Sequence, residues 1–96
     1  MVYISGPVSG VIDCNEQAFK KAERILNRAG YKTINPVQEC KDAGLTDWLE
    51  CMELCLEKEK ECNIIYMLKD WENSKGARIE YKYAKEHNIE ILELKL

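Results

Sequence analysis

The strongest constraint on the fold is a run of six residues at positions 63–68, NIIYML, which is almost wholly apolar. A strand of this composition is expected where helices cover both faces of a parallel sheet. Residues 2–5, 31–35 and 89–94 also have strand-like composition, and the last of these segments resembles an edge strand. Helix-like segments separate all four strands, so the sequence predicts the order βαβαβαβ.

The first helix-like segment lies between the first two strands. Asp13 or Asn15 can cap its beginning, and Gly30 is suited to close it. The spacing of its apolar residues predicts an inner face made of Ala18, Phe19, Ala22, Ile25, Leu26 and Ala29.

The chain between the second and third strands is predicted to hold a loop and then a helix. Residues 37–44 read as a loop, and Thr46 is expected to cap the helix that follows. Its predicted inner face consists of Trp48, Met52, Cys55 and Leu56, whereas residues 57–61 are expected to be solvated. A third helix is predicted over residues 75–87.

This order of elements predicts an α/β domain of the flavodoxin or Rossmann-like type, with helices on both faces of a four-stranded parallel sheet. Right-handed crossovers favour the spatial strand order 2-1-3-4. With 96 residues, the chain is expected to form one domain over residues 1–96. Such a sheet binds ligands where the strand order reverses, outside the carboxyl ends of strands 1 and 3. The loops at residues 5–10 and 69–76 follow those two ends.

Charge and hydropathy exclude two classes of partner. The net charge is −3 with a pI of about 5.2, whereas a broad nucleic-acid surface needs clustered Lys and Arg. No apolar stretch approaches the length of about 18 residues that a membrane span requires. We therefore expect neither nucleic acid nor membrane as a partner.

The five cysteines indicate a reducing compartment. Their number is odd and no secretory signal precedes them, so disulfides are not expected and a reducing cytoplasm is favoured. The spacing of Cys51, Cys55 and Cys62 matches no common zinc pattern, and the single histidine, His87, is distant in sequence. We interpret these cysteines as small buried hydrophobes and expect neither a metal nor a cofactor.

One carboxylate falls on an otherwise apolar helix face. Ala77, Glu80, Tyr81 and Ala84 have the spacing i, i+3, i+4 and i+7, and this face points towards the predicted crevice. A carboxylate in a half-buried cleft can serve as a general acid, a general base or a nucleophile. Alternatively, Glu80 only pairs with a hydroxyl such as that of Tyr3, or with a lysine, as part of the packing.

The glycines of the first loop permit close approach of the backbone to a ligand. Gly6 and Gly10 flank a turn that can present amide N–H groups, although most Gly-Pro turns only reverse the chain. The pattern is neither a dinucleotide fingerprint, since G-x-G-x-x-G is absent, nor a P-loop.

Three segments resemble the nucleoside 2-deoxyribosyltransferase-like superfamily, and the similarity is greatest to its small branch DUF4406, which is common in phages and prophages. The segments are YISGPVSG at 3–10, INP at 34–36 and WENSKGARIEYKYA at 71–84. The resemblance implies that Glu80 is the nucleophile that attacks the anomeric carbon of a (deoxy)ribosyl group and that Tyr3 orients it. It further implies cleavage or transfer of an N-glycosidic bond through a glycosyl-enzyme ester.

The resemblance and the crevice together define the ligand-binding candidates. From the two loops and the second strand these are Ser5, Gly6, Pro7, Ser9, Gly10, Asn35, Trp71, Ser74 and Gly76. Asn35 alternatively only ends its strand before a proline, and Trp71 either stacks a base or sugar or only closes the end of the sheet.

The identity of residue 74, a serine, bears on whether the expected ligand carries a phosphate. Relatives that hydrolyse nucleoside 5′-monophosphates tend to carry serine at this position, whereas those acting on free deoxynucleosides tend to carry aspartate. A serine that begins a helix also joins the following amides in an anion site, so we expect a 5′-monophosphate ligand. The alternative is an ordinary N-cap.

Two positions depart from the branch. Asn63 stands where its members often have aspartate, and Cys55 stands at another position that is acidic in the branch. Two other functions therefore remain open: a non-catalytic nucleotide-binding module, such as a phage protein that sequesters a nucleotide signal, and a structural domain in which Glu80 only pairs. Because relatives complete the pocket with a second subunit, we expect a homodimer or a larger even-numbered assembly, with Trp48, Leu49 and Met52 supplying an apolar patch.

Overall fold

A four-stranded parallel sheet forms the centre of the protein, in a computed structural model that describes residues 1–8 and 15–93. Its strands are β1 (Val2–Ser5), β2 (Thr33–Ile34), β3 (Ile64–Met67) and β4 (Glu90–Glu93), in the spatial order β2-β1-β3-β4. Each neighbouring pair runs parallel, with Tyr3 opposite Ile34 on one side and opposite Ile65 on the other. The predicted α/β class and strand order are confirmed.

Four α-helices connect the strands within the described residues. They are α1 (Glu16–Arg28), α2 (Pro36–Asp42), α3 (Trp48–Glu59) and α4 (Lys75–Glu86), and a short 3-10 helix spans Trp71–Asn73. None of the helices in residues 1–8 and 15–93 combines the length and the apolar character needed to cross a bilayer.

Helix α2 occupies the segment that was predicted as a loop, and that prediction is wrong. The Asn35 side chain caps this helix, because its Oδ1 accepts hydrogen bonds from the backbone N–H groups of Val37 and Gln38, at 3.1 and 3.4 Å. Pro36 then takes the first helical position, where its missing N–H costs nothing. The same Asn-Pro pair that ends β2 therefore begins a helix.

The beginnings of α1 and α3 also differ from the predictions. Asp47, rather than Thr46, caps α3 by accepting from the backbone N–H of Glu50 at 3.1 Å. Asn15 occupies the N-cap position of α1, but its side chain donates to the carbonyl of Pro7 instead of capping. The other candidate, Asp13, lies outside the described residues.

Side chains alternate across β1 and divide the core into two layers. Val2 and Ile4 pack with Phe19 of α1, whereas Tyr3 packs with residues of α4 on the opposite face. Within α1, the buried stripe is narrower than predicted and comprises Phe19, Ala22 and Leu26. Ile25 is 52% exposed at the edge of that stripe and Ala29 is also exposed, while Gly30 closes the helix with φ of 94°.

Candidate functional site

The predicted crevice is a cavity of about 660 Å³ that adjoins the loop after β1 and the amino-terminal half of α4. Helices α1, α2 and α3 supply the rest of its wall. The described residues that line it are Gly6, Val8, Glu16, Phe19, Pro36, Val37, Cys40, Lys41, Leu45, Thr46, Trp48, Cys51, Met52, Cys55, Ser74, Gly76, Ala77 and Glu80. The wall is therefore mostly apolar, with few charged groups.

Glu80 lies at the inner end of this cavity and is 5% exposed. The Tyr3 hydroxyl donates a short hydrogen bond to Oε2 of Glu80, and the Ser5 hydroxyl donates to Oε1 at 2.6 Å. Both donors come from β1, and alternation along that strand places them on the same face of the sheet. Each carboxylate oxygen thus has its own donor, and the orientation of the group is fixed.

Burial and hydrogen bonding act on Glu80 in opposite directions. Burial raises its pKa to about 7, because the charged form loses its hydration, whereas the donors Ser5 and Tyr3 lower the pKa by stabilising the carboxylate. The charged form, which is the nucleophilic one, therefore predominates only above about neutral pH. Burial also raises the pKa of Tyr3 well above its usual value, with the Glu80 charge adding to the effect, so Tyr3 remains a hydrogen-bond donor.

The loop after β1 contributes through its backbone packing. A Cβ on Gly6 would lie 2.8 Å from Cβ of Leu68, so glycine is required for the close approach of this loop to the end of β3. Gly6 also lines the cavity, while the carbonyl of Pro7 accepts from the Asn15 side chain. The candidates Ser9 and Gly10 lie outside the described residues.

The start of α4 forms the wall beside Glu80. The Ser74 hydroxyl accepts a hydrogen bond from the Ala77 N–H at 3.2 Å, so Ser74 is the N-cap of this helix and also lines the cavity. Gly76 lies against Met52, whose Sδ would be 3.2 Å from an added Cβ. A side chain at position 76 would therefore press against α3.

Two other candidates are not part of the cavity wall, and each has a structural partner. Asn35 is 5% exposed and uses its side-chain oxygen to cap α2. The ring of Trp71 stacks on that of Tyr81, with centroids 4.4 Å apart and an angle of 24° between the planes. Both residues lie outside the set that lines the cavity.

Comparison with known proteins assigns this chain to a family over nearly its whole length. The family model of a domain of unknown function, DUF4406, matches residues 1–93. The chain belongs to the DUF4406 family. Searches of curated proteins and of solved structures gave no match.

The DUF4406 domain contains an aromatic residue in its cavity wall that the sequence did not identify as part of the site. Trp48, at the start of α3, lines the cavity and is 37% exposed, although it was predicted on a buried inner face. The Lys75 ammonium lies 5.1 Å from the centre of its ring, within the range of a cation–π contact. Trp48, rather than Trp71, is the tryptophan available to a ligand in this cavity.

Lys41 is the one cation among the described residues that line the cavity. Its ammonium lies 3.1 Å from both carboxylate oxygens of Glu16, and Glu16 also pairs with Lys20. These pairs lower the pKa of Glu16. Because the Lys41 side chain is 57% exposed, the pair is weakened by solvent and a ligand anion can compete for Lys41.

Glu59 is a buried carboxyl group in a segment that was predicted to be solvated, and that prediction is wrong for this residue. It is 0% exposed, and neither of its oxygens has a hydrogen-bond partner within the described residues. Burial, and secondarily the charge of Glu80, raises the pKa of Glu59 to about 9. The group is therefore protonated and neutral at physiological pH, behind the wall that contains Glu80.

The two departures from the branch have different positions in the structure. Asn63 is exposed at the amino end of β3, where its side chain accepts from the backbone ammonium of Met1 at 3.0 Å. Cys55 instead lies in the cavity wall beside Tyr3. Of these two residues, only Cys55 therefore lines the cavity.

The cysteines were interpreted as buried hydrophobes, and Cys55 and Cys62 are buried while Cys40 and Cys51 are half-buried. Within residues 1–8 and 15–93, no group of three or more His, Cys, Asp or Glu side chains has the arrangement of a metal site.

Proposed function

We propose that this domain binds a nucleoside or nucleotide in the cavity and cleaves or transfers its N-glycosidic bond, with Glu80 as the nucleophile. The observation that carries the proposal is the placement of Glu80, a buried carboxylate at the inner end of a mostly apolar cavity, with a donor from β1 on each oxygen. The resemblance of the motifs around Tyr3, Ser74 and Glu80 to the nucleoside 2-deoxyribosyltransferase-like superfamily supports the same chemistry.

The proposed reaction proceeds in two displacements. An oxygen of Glu80 attacks the anomeric carbon, the bond from that carbon to the base breaks, and the base leaves with the electron pair and acquires a proton. Water or a second base then attacks the anomeric carbon of the glycosyl ester, and the bond from that carbon to the Glu80 oxygen breaks, which restores the carboxylate. Attack by water, which loses a proton to the solvent, gives hydrolysis, whereas attack by a base gives transfer. In both steps Tyr3 and Ser5 hold the carboxylate in place, and this reduces the entropic cost of reaching the reactive geometry.

The composition of the wall supports a base and sugar as ligand. Trp48, Met52 and Leu45 provide apolar area, and an exposed indole ring is suited to stacking on a base. Pockets for small ligands commonly combine such a lining with a few polar groups that fix orientation. Here the polar groups include Glu80, Ser74, Thr46 and the Lys41–Glu16 pair.

A phosphorylated ligand is favoured over a free nucleoside. Ser74 begins α4, so the adjoining amide groups and the helix dipole favour an anion at this end of the cavity. Lys41 adds a positive charge to the same cavity. We therefore expect a nucleoside 5′-monophosphate to bind more tightly than its nucleoside, and Ser74→Asp to weaken its binding.

The decisive experiment is chromatography of a panel of nucleosides and 5′-monophosphates after incubation with the wild type and with Glu80→Gln. We expect release of a free base with the wild type and a loss of roughly 10³-fold or more with the variant, as for other nucleophile replacements. The variant retains the shape and the hydrogen-bonding capacity of the side chain, so its fold and ligand binding should persist. Equal turnover by the two proteins would exclude Glu80 as the nucleophile.

One observation favours a non-catalytic nucleotide-binding module as the second candidate. The cavity wall has Cys55 where members of the branch have an acidic residue, and burial raises the pKa of Cys55 to about 11. A thiol of this pKa is a poor acid for protonation of a departing base. Ligand binding seen by calorimetry without any turnover would select this function.

Assembly and location form part of the proposal. Leu49 is 63% exposed at the start of α3, next to Trp48 at the cavity, and this apolar surface is suited to a second copy of the chain. We expect a homodimer or a larger even-numbered assembly, which light scattering would test. The free thiols at positions 40, 51, 55 and 62 favour a reducing cytoplasm, such as that of a bacterial or phage-infected cell.

A further inference from the structure

Three cysteines line one part of the cavity wall, and two of them are in contact. Helix α2 carries Cys40, while α3 carries Cys51 and Cys55. The sulfur atoms of Cys40 and Cys55 lie 3.9 Å apart, and both side chains are free thiols. The thiol of Cys51 donates to the carbonyl of Leu45 at 3.8 Å, and it also lies near Cys40, whose pKa it helps to raise.

We propose that Cys40 and Cys55 form a modification site, in which a small peroxide that enters the cavity joins them in a disulfide linking α2 to α3 beside Glu80. A disulfide has a sulfur–sulfur distance of about 2.0 Å, so each sulfur must move by only about 1 Å from its present position. The pair already belongs to two helices that pack on each other. This inference does not depend on Glu80 being a nucleophile.

The reaction balances with one peroxide. A thiolate of the pair attacks a peroxide oxygen, which converts that sulfur to a sulfenic acid and releases one water when the peroxide is hydrogen peroxide. The neighbouring thiol then attacks the sulfenic sulfur and forms the disulfide bond. The sulfenic hydroxyl leaves with the proton of that thiol as a second water. Two thiols are thereby oxidised by two electrons, and one peroxide is reduced to two waters.

The surroundings of the pair determine when this reaction occurs. Burial raises the pKa of the Cys55 thiol to about 11 and raises that of Cys40 still further. Since only the thiolate attacks, the pair stays reduced under mild conditions, and oxidation accelerates as the pH rises from 7 to 9. A bulky disulfide such as oxidised glutathione is expected to react more slowly than hydrogen peroxide, because the sulfurs are reached through the cavity.

The disulfide changes the surroundings of the hydroxyl that holds Glu80. The Cys55 thiol lies beside the Tyr3 hydroxyl, which donates to Glu80. Bond formation with Cys40 removes the thiol hydrogen and draws the sulfur towards α2. The reduced and oxidised proteins therefore present different walls to a ligand of this cavity.

The test uses the reduced full-length chain, treated with hydrogen peroxide at pH 7 and pH 9 and then alkylated. Digestion with a protease that cleaves after Glu53 separates Cys51 from Cys55 before mass spectrometry. We expect a cross-link between Cys40 and Cys55 that has lost two hydrogen atoms, forms faster at pH 9, and disappears on treatment with dithiothreitol. Retention of both thiols at both pH values, or attachment of Cys40 to another cysteine, would overturn the proposal.

Three single variants make the assignment specific. Cys62→Ser should form the cross-link at the wild-type rate and Cys51→Ser should still form it, because neither removes a sulfur of the pair. Cys40→Ser should leave Cys55 free to be alkylated or over-oxidised. Loss of the cross-link in Cys51→Ser would show that oxidation begins at Cys51, contrary to the proposal. The wild-type mapping remains decisive should any variant fail to fold.

Discussion

The two faces of the sheet are built from different kinds of residue. On the face covered by α1, the buried residues form an apolar layer that includes Val2, Ile4 and Phe19. The opposite face, covered by α3 and α4, holds buried groups that titrate or donate hydrogen bonds: Tyr3, Ser5, Cys55, Glu59 and Glu80. A single strand, β1, supplies alternate residues to both layers.

The α1 face therefore contributes stability that does not depend on pH, whereas the α3–α4 face carries the groups that titrate. Apolar burial on the α1 face favours folding at every pH, because nothing there changes charge. On the α3–α4 face, the raised pKa values of Glu59 and Glu80 mean that the folded state loses stability as the pH rises. The stability that apolar burial provides on the α1 face can therefore offset the stability that is lost on the α3–α4 face as the pH rises.

The largest expected effect is on the apolar face. Phe19→Ala should lower the free energy of unfolding by about 3–5 kcal/mol, because it removes a fully buried ring and leaves a cavity. Guanidinium unfolding measures this loss. Ile25→Ala is the control on the same helix, since Ile25 is 52% exposed, and its effect should be small. Leu26→Ala, at a buried residue of α1 outside the cavity wall, should leave the titration of Glu80 unchanged, and a shifted titration would show that the two faces are coupled.

On the opposite face, Tyr3→Phe should lower stability in a pH-dependent way. It removes the donor to Oε2 of Glu80, and hydrogen bonds to charged groups are worth about 1.5–3 kcal/mol. The loss should be largest at pH 8.5, where Glu80 is charged, and smaller at pH 5, where it is protonated. Carbon NMR of labelled glutamate should also show the pKa of Glu80 rising above about 7, since this donor lowers it. An equal loss at both pH values would contradict a specific bond to the carboxylate.

Replacement of Glu59, whose carboxyl oxygens have no hydrogen-bond partner within the described residues, should raise stability instead of lowering it. Glu59→Met is expected to raise the free energy of unfolding at pH 8 by about 1–3 kcal/mol, the usual cost of a buried polar group without a hydrogen bond. In the wild type, stability should fall as the pH rises from about 4.5, the usual pKa of a glutamate, towards about 9, the pKa of buried Glu59. The variant should flatten that decline. Glu53→Met on the exposed side of α3 is the matched control. A variant less stable than the wild type at pH 8 would show that Glu59 has a stabilising role.

The smallest effect concerns the rim of the cavity. Lys41→Met should weaken binding of a nucleoside 5′-monophosphate by roughly threefold to tenfold, in line with the modest strength of exposed charge pairs, and should not affect the nucleoside. Glu16→Gln should strengthen it, because the competing carboxylate is removed. Lys20→Met is the control, since Lys20 pairs with Glu16 from outside the cavity wall. Calorimetry that finds equal losses for the two lysine variants would exclude a specific role for Lys41.

Strand alternation and helix periodicity were sufficient to predict the sheet, its order and the unusual position of Glu80. They failed at α2, because Asn35 was interpreted as a ligand-binding residue or as the end of a strand before Pro36, although the pair also has the pattern of an N-cap and first helical residue. They failed again at Glu59, which lies in the charged run EKEKE. The spacing of Met52, Cys55, Glu59 and Cys62 continues the inner stripe of α3 and could have identified it.

The wall of the cavity was less predictable than the fold. Trp48 and Lys41 line it because α2 and α3 converge on the end of the sheet, and no local pattern encodes that convergence. Likewise, the stacking of Trp71 on Tyr81 depends on the packing of the 3-10 helix against α4. Local periodicity identifies the face a residue occupies, but not which neighbour covers that face.

The pairing of β1 with β3 has a consequence for biosynthesis. Val2 lies opposite Ile64, so the two partners are 62 residues apart in sequence (64 − 2 = 62). At ordinary translation rates, β1 leaves the ribosome roughly 3–12 s before β3 does. During that interval a nascent chain carries an apolar strand with an unpaired edge, which is a hazard for aggregation. Pulse-chase solubility of stalled nascent chains should therefore improve abruptly once residue 67 has emerged from the exit tunnel.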